Sequence, residues 1–136
     1  MGAWATTPFG NDTACDWAYG LSEYDDLSLI EDTLDNVLEV GSEYLEAPDA
    51  EEAIAAIETL ARLKGNWGER DAYTEKADAW VEKVQLKPSQ ALVEKVGRVL
   101  ERILAPDSEL VELWEESDEF DAWKTSVDDL KGRVSA

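Results

Sequence analysis

Apolar residues recur along this chain in steps of three and four, the period that lines up one face of an α-helix, and strand-like alternation is almost absent. Ala14, Trp17, Ala18 and Leu21 form the first stripe, which follows Asn11 and Asp12, both good helix N-caps. Leu27, Ile30, Leu34, Val37 and Leu38 predict a second helix over residues 26–40, and Gly41 stands where a C′ glycine ends one. After a connector at 42–48, Asp49 with Glu52 three residues on resembles a capping box. Ala53, Ile54, Ile57, Leu60 and Ala61 then carry a third helix that stops at Gly65, and G-N-W-G at 65–68 predicts a loop. Ala77, Trp80, Val81 and Val84 place a fourth helix over 71–84.

Pro88 and Ser89 open the fifth helix, whose apolar face is the widest: Leu92, Val93, Val96, Val99, Leu100, Ile103 and Leu104. Such a face predicts the central, most buried helix of the fold. Pro106 and Asp107 restart the chain, and a short helix follows with Leu110, Val111, Leu113 and Trp114. The last, over 118–133, sets Phe120, Trp123, Val127, Leu130 and Val134 at the spacing of a packed seam. The expectation is an all-α, single-domain bundle of about six or seven helices, with residues 1–10 as an irregular segment packed on it. At 136 residues with six tryptophans, the chain has enough length and apolar mass for a real core.

Charge divides the chain unevenly. The net charge is −20, and the first base is Arg62, preceded by fifteen carboxylates. Residues 62–102 hold nine bases against seven acids. Residues 103–123 are again free of bases and hold eight acids: Asp107, Glu109, Glu112, Glu115, Glu116, Asp118, Glu119 and Asp121. A surface this acidic repels phosphate backbones and anionic headgroups, so neither direct nucleic-acid binding nor membrane binding is expected. Basic proteins, or cations, are the natural partners, and plain solubility is the competing explanation. No membrane-span-length apolar run and no secretory signal pattern is visible, and a single cysteine permits no internal disulfide, which together suggest a cytoplasmic protein.

Chemistry is constrained by what is missing. Without histidine the chain lacks the commonest general base, the usual activator of a serine or cysteine nucleophile and the commonest zinc ligand. Gly65-Asn66-Trp67-Gly68 matches neither a dinucleotide fingerprint nor a Walker loop, and neither a cofactor nor a metal is expected. Asp12 and Asp16 lie four apart beside Trp17; cation binding or acid–base work competes there with the ordinary reading of a cap and a solvated face. The acids at 115–121 lack the spacing of a calcium loop. Cys15, beside the first apolar stripe with no base near it, is expected to be a buried structural thiol. Trp17, Trp80, Trp114 and Trp123 sit on apolar stripes and are expected in the core, whereas Trp4 and Trp67 fall in irregular segments.

The opening M-G-A-W-A-T-T-P-F-G-N-D-T-A-C-D-W resembles the start of a family of small bacterial proteins catalogued as domain of unknown function 4259, whose members open M-G-A-W-G-x-G-x-F-x-N-D-x-A-x-D-[WF]. Met1, Gly2, Ala3, Trp4, Phe9, Asn11, Asp12, Ala14, Asp16 and Trp17 match. Y-L-E-A-P-D-A-E-E-A at 44–53, D-S-E-L-V-E-L-W-E-E at 107–116 and the closing W-x-x-x-V-x-D-L-x-x-R at 123–133 extend the likeness along nearly the whole chain. Ala5 and Thr7 depart from the pattern, where glycine is usual. The resemblance implies a bacterial, cytoplasmic, helical single domain and carries no assigned activity. Physically, Trp4 and Phe9 flank a turn at Pro8 that packs on the bundle, Asn11 and Asp12 cap the first helix, and Asp16 bonds the preceding loop; with Trp17 these form a structural motif.

The leading functional expectation is a non-enzymatic acidic protein-binding module, of the inhibitor or immunity type, that engages a basic protein surface. Its candidate contact residues are Glu109, Glu112, Glu115, Glu116, Asp118, Glu119 and Asp121 from the second base-free stretch, with Asp32, Asp35 and Glu39 from the second helix. One alternative is a nucleic-acid mimic whose carboxylates block a DNA-binding protein. A second is a carboxylate-based, metal-dependent hydrolase, which requires acids converging in a pocket with raised pKa values.

Overall fold

A computed structural model describes residues 3–136; Met1 and Gly2 of the opening motif lie outside the described residues. Seven α-helices follow one another: α1 (Asp12–Tyr19), α2 (Ser28–Glu39), α3 (Ala47–Leu63), α4 (Glu75–Val84), α5 (Gln90–Leu104), α6 (Glu109–Glu115) and α7 (Phe120–Ser135). A short 3-10 turn, Gly20–Glu23, continues α1, and among the described residues the only β-type pairings are two isolated bridges.

The central helix is α3, not α5 as its wide apolar face suggests. Thirteen of the seventeen residues of α3 are buried, against five of the fifteen of α5. The reason lies in residue size and polar satisfaction. Alanines at 47, 50, 53, 55, 56 and 61 let neighbours approach from several sides, so α3 packs on α1, α2, α4, α5, α6 and α7. Its buried polar residues find partners inside the fold: Thr59 donates to the Ala55 carbonyl at 2.8 Å, and Glu58 pairs with Arg62. α5 buries Leu92, Val96, Val99, Leu100 and Ile103 along one face and leaves the other to solvent.

Helix ends follow local chemistry, with two departures. Asn11, in extended geometry, accepts the Ala14 N–H at 2.7 Å and is the α1 N-cap, so Asp12 is the first helical residue and caps nothing. Asp49 likewise lies inside the first turn of α3, which starts at Ala47 with Pro48 behind it; the capping box is not formed. There Glu109 reaches across from α6, and its Oε1 accepts the Ala47 N–H at 2.7 Å, serving the role expected of a local cap. Ser89 caps α5 as expected, accepting from the Leu92 N–H at 3.2 Å. α4 starts later than its stripe predicts, because the Asp71 carboxylate accepts from the N–H groups of Tyr73 and Thr74 and holds 71–74 as a turn. At the end of α3, Gly65 takes φ +87°, and the Asn66 and Gly65 N–H groups return to the Ala61 and Arg62 carbonyls, a Schellman closure.

Tryptophan indoles tie elements together. Trp17 donates to the Thr33 hydroxyl at 2.9 Å, joining α1 to α2, and Trp80 donates to the Tyr24 carbonyl at 2.9 Å. Trp114 and Trp123 stack at 6.0 Å between α6 and α7, and all four are buried.

Candidate functional surface and a buried ion-pair cluster

The opening motif folds into a small loop at residues 3–11. Trp4 and Ala5 donate their N–H groups to the Gly10 carbonyl, and Ala3 bridges Asn11. A Cβ on Gly10 would lie 2.7 Å from the Ala5 Cβ and 2.8 Å from its carbonyl oxygen, so this position accepts no side chain without backbone movement. Neither Ala5 nor Thr7 takes a positive φ, so neither departure from the family pattern strains the backbone. Phe9 is buried, while Trp4 remains half exposed and packs on Tyr73 at 5.0 Å. Cys15, not Asp16, faces the loop: its Sγ donates to the Phe9 carbonyl at 3.4 Å. Asp12 and Asp16 are both exposed, and among the described residues neither side chain makes a hydrogen bond or ion pair. The thiol is only partly buried, and burial, then Asp12, Asp16 and Asp71, push its pKa up.

Beneath that loop lies a feature that sequence reasoning missed. Glu58 and Arg62, one turn apart on α3, are 1% and 2% exposed and bond at 2.9 Å. Arg133 of α7 closes a two-pronged pair on Glu58, donating at 2.7 Å to Oε1 and 2.9 Å to Oε2. Its guanidinium pKa is raised above the ordinary arginine value by those bonds, with burial opposing and Asp129 adding. Arg62 donates onward to Asp78 at 2.5 Å and to the Glu69 carbonyl at 2.6 Å. Asp78 also accepts from Thr74 and Arg70, and Arg70 pairs with Glu82. Both Arg62 and Arg70 lie over the Trp67 ring, at 5.4 and 4.3 Å, which accounts for a tryptophan in the G-N-W-G loop. A Cβ on Gly68 would sit 3.0 Å from both Glu58 Oε2 and Arg133 Nη1, so the glycine makes room for the pair. The available signal was a Glu and an Arg four apart inside an alanine- and leucine-rich stretch, with Trp67 between two arginines.

The structure scatters the candidate contact residues. On α2, Asp32 and Glu39 are exposed, but Asp35 pairs with Lys95 at 2.7 Å. On α6, Glu109 is used in capping α3, and Glu112 accepts from the Tyr44 hydroxyl at 2.7 Å. That bond, with lesser contributions from burial and nearby acids, pushes the Tyr44 pKa up to about 12. The connector after α2 is thus stitched to the second base-free stretch, helped by reciprocal bonds of Leu45 with Asp107 and Glu109. Glu115, Glu116, Asp118, Glu119 and Asp121 remain at the α6–α7 corner, all exposed and, among the described residues, without an ion-pair partner. Beside them Val111, Leu113 and Phe120 are only partly covered. Glu51 and Glu52 of α3 have carboxyl pKa values raised chiefly by burial. Among the described residues no three acids or thiols gather as a metal-ligand set, and no helix is long and apolar enough to cross a membrane.

A model of the family described as domain of unknown function (DUF4259) matches residues 2–126. The chain belongs to this family. The match takes in the N-terminal loop, Glu58, Arg62, Asp78 and the acidic corner, and stops before Asp129 and Arg133. No curated protein and no solved structure matches the chain.

Proposed function

We propose that the protein is a non-enzymatic binding module whose α6–α7 corner engages a basic protein surface. The observation that carries this reading is the density of exposed, unpaired charge: Glu115, Glu116, Asp118, Glu119 and Asp121 fall within residues 115–121. Five exposed carboxylates on a short stretch repel one another, and an incoming set of lysines and arginines relieves that repulsion. The rigid stack of Trp114 on Trp123, with Phe120 tilted against it at 6.1 Å, holds the two helices that present them. Charge of this kind speeds association and selects partners, while affinity comes from the apolar residues at the patch edge.

The test compares the native protein with a variant carrying Glu115→Gln, Glu116→Gln, Asp118→Asn and Glu119→Gln. Bait proteins of both types are exposed to cytoplasmic extract at low and high salt, and partner association rates are then measured. A basic partner held by the native protein, released by salt and lost by a variant of unchanged melting temperature supports the module. Equal capture by both proteins, or binding indifferent to salt, overturns it.

A further inference from the structure

The cleft beside the buried ion pairs has a volume of about 360 Å³, within the range of small-ligand sites. Its floor is Glu58, Arg62 and Arg133, and its rim carries Trp4, Tyr73 and Asp71. The arginines make this look like an anion site, but most of their donors are in use and both guanidiniums are already paired with carboxylates. Every side-chain nitrogen of Arg62 already donates, to Glu58, Asp78 and the Glu69 carbonyl. Every one of Arg133 donates as well, to Asp129, Glu58 and the Asn66 carbonyl. An anion there would meet two guanidiniums whose charge Glu58 and Asp78 already neutralise, with the unpaired acids of the cleft repelling it.

Acceptors, by contrast, are left over. Among the described residues the Glu69 carboxylate receives no hydrogen bond, Asp71 uses one oxygen on Tyr73 and Thr74, and Asp129 uses one on Arg133. All three line the cleft. Elsewhere the ring of Tyr19 is taken by Lys76 and that of Trp67 by two arginines, but no described cation lies over Trp4 or Tyr73. Trp4 and Tyr73 are 47% and 53% exposed, both line the cleft, and their rings lie 5.0 Å apart at a 46° tilt. The carboxylates do not converge as a metal-ligand set, so the negative field is spread, as suits an organic cation.

We infer that this cleft binds an alkylammonium or alkylguanidinium group, seated against Trp4 and Tyr73 with Glu69, Asp71 and Asp129 around it. The site is separate from the α6–α7 corner and does not depend on that reading.

The test follows the Trp4 indole N–H resonance while butylammonium, butylguanidinium, neutral N-butylacetamide or inorganic phosphate is added at constant ionic strength. Both cations are expected to shift it saturably, and the neutral amide and phosphate to leave it unmoved. Tyr73→Ala should weaken cation binding by about two- to fivefold. Asp71→Asn, which keeps the oxygen that holds the turn, should weaken it by about threefold. The α6–α7 charge variant should bind butylammonium as the native protein does. A peptide acetyl-Gly-Lys-Gly-amide that binds more tightly than butylammonium assigns the cation to a polypeptide side chain; equal affinity assigns it to a free amine, and either supports the cleft. Equal shifts with the neutral amide, saturable binding of phosphate, or undiminished affinity in a folded Tyr73→Ala protein overturns the inference.

Discussion

Replacing Glu58 with alanine removes the one carboxylate shared by Arg62 and Arg133. It is 1% exposed and accepts three hydrogen bonds, at 2.9, 2.9 and 2.7 Å. Breaking a buried pair from one side costs about 3–5 kcal/mol, because the remaining charge is left without compensation. Here the lower end applies. Arg62 keeps Asp78 and the Glu69 carbonyl, and Arg133, with 18% of its side chain exposed, keeps Asp129. A loss of about 3 kcal/mol in a chain of this size lowers the melting temperature by roughly 10 °C. Urea unfolding followed by far-UV circular dichroism reads the change as a lower midpoint at constant slope. Asp129→Ala is the control: that carboxylate is 64% exposed, and its bond to the same arginine is worth about 0–1 kcal/mol. A cost below about 1 kcal/mol for Glu58→Ala, or equal costs for the two variants, would refute the claim that the buried cluster locks α7 onto α3.

Three more outcomes are expected. Gly68→Ala should destabilise by about 1–2 kcal/mol by crowding the Glu58–Arg133 pair, whereas Gly132→Ala, with open space at its Cβ inside α7, should stabilise by about 0.5–1 kcal/mol; urea midpoints of the two variants should move in opposite directions. Tyr44 should titrate with a pKa of about 12 by phenolate absorbance, and Glu112→Gln should bring it down. Because its folded pKa lies above the ordinary 10, its contribution to stability is full below pH 10 and fades as pH rises through about 12. Cys15 should alkylate more slowly than a free thiol at mildly alkaline pH, since burial and then Asp12, Asp16 and Asp71 raise its pKa, and Asp16→Asn should speed the reaction.

Local patterns predicted much of what the structure contains. Helices stand wherever apolar residues recur at steps of three and four, because the 3.6-residue turn places those side chains on one face whatever the neighbours are. Gly41 at φ +60° and Ser89 at the start of α5 are likewise local events, settled by backbone freedom and by a hydroxyl within reach of the next turn. Asp49 is no cap: α3 starts at Ala47, and Glu109, sixty-two residues on from Ala47, supplies the acceptor there.

What the sequence determined by itself is the all-α class, the number and approximate placement of the helices, the four core tryptophans and the family. Tertiary structure alone decided that α3 rather than α5 is central, and that Glu58, Arg62, Asp78 and Arg133 form one buried cluster under the N-terminal loop. It also decided which acids are free: Asp35 and Glu112 found partners, and the α6–α7 corner did not. The physical reason is range. Helical periodicity is set within a few residues, but the partner of a charge is set by packing, and Glu58 meets Arg133 across seventy-five residues of chain.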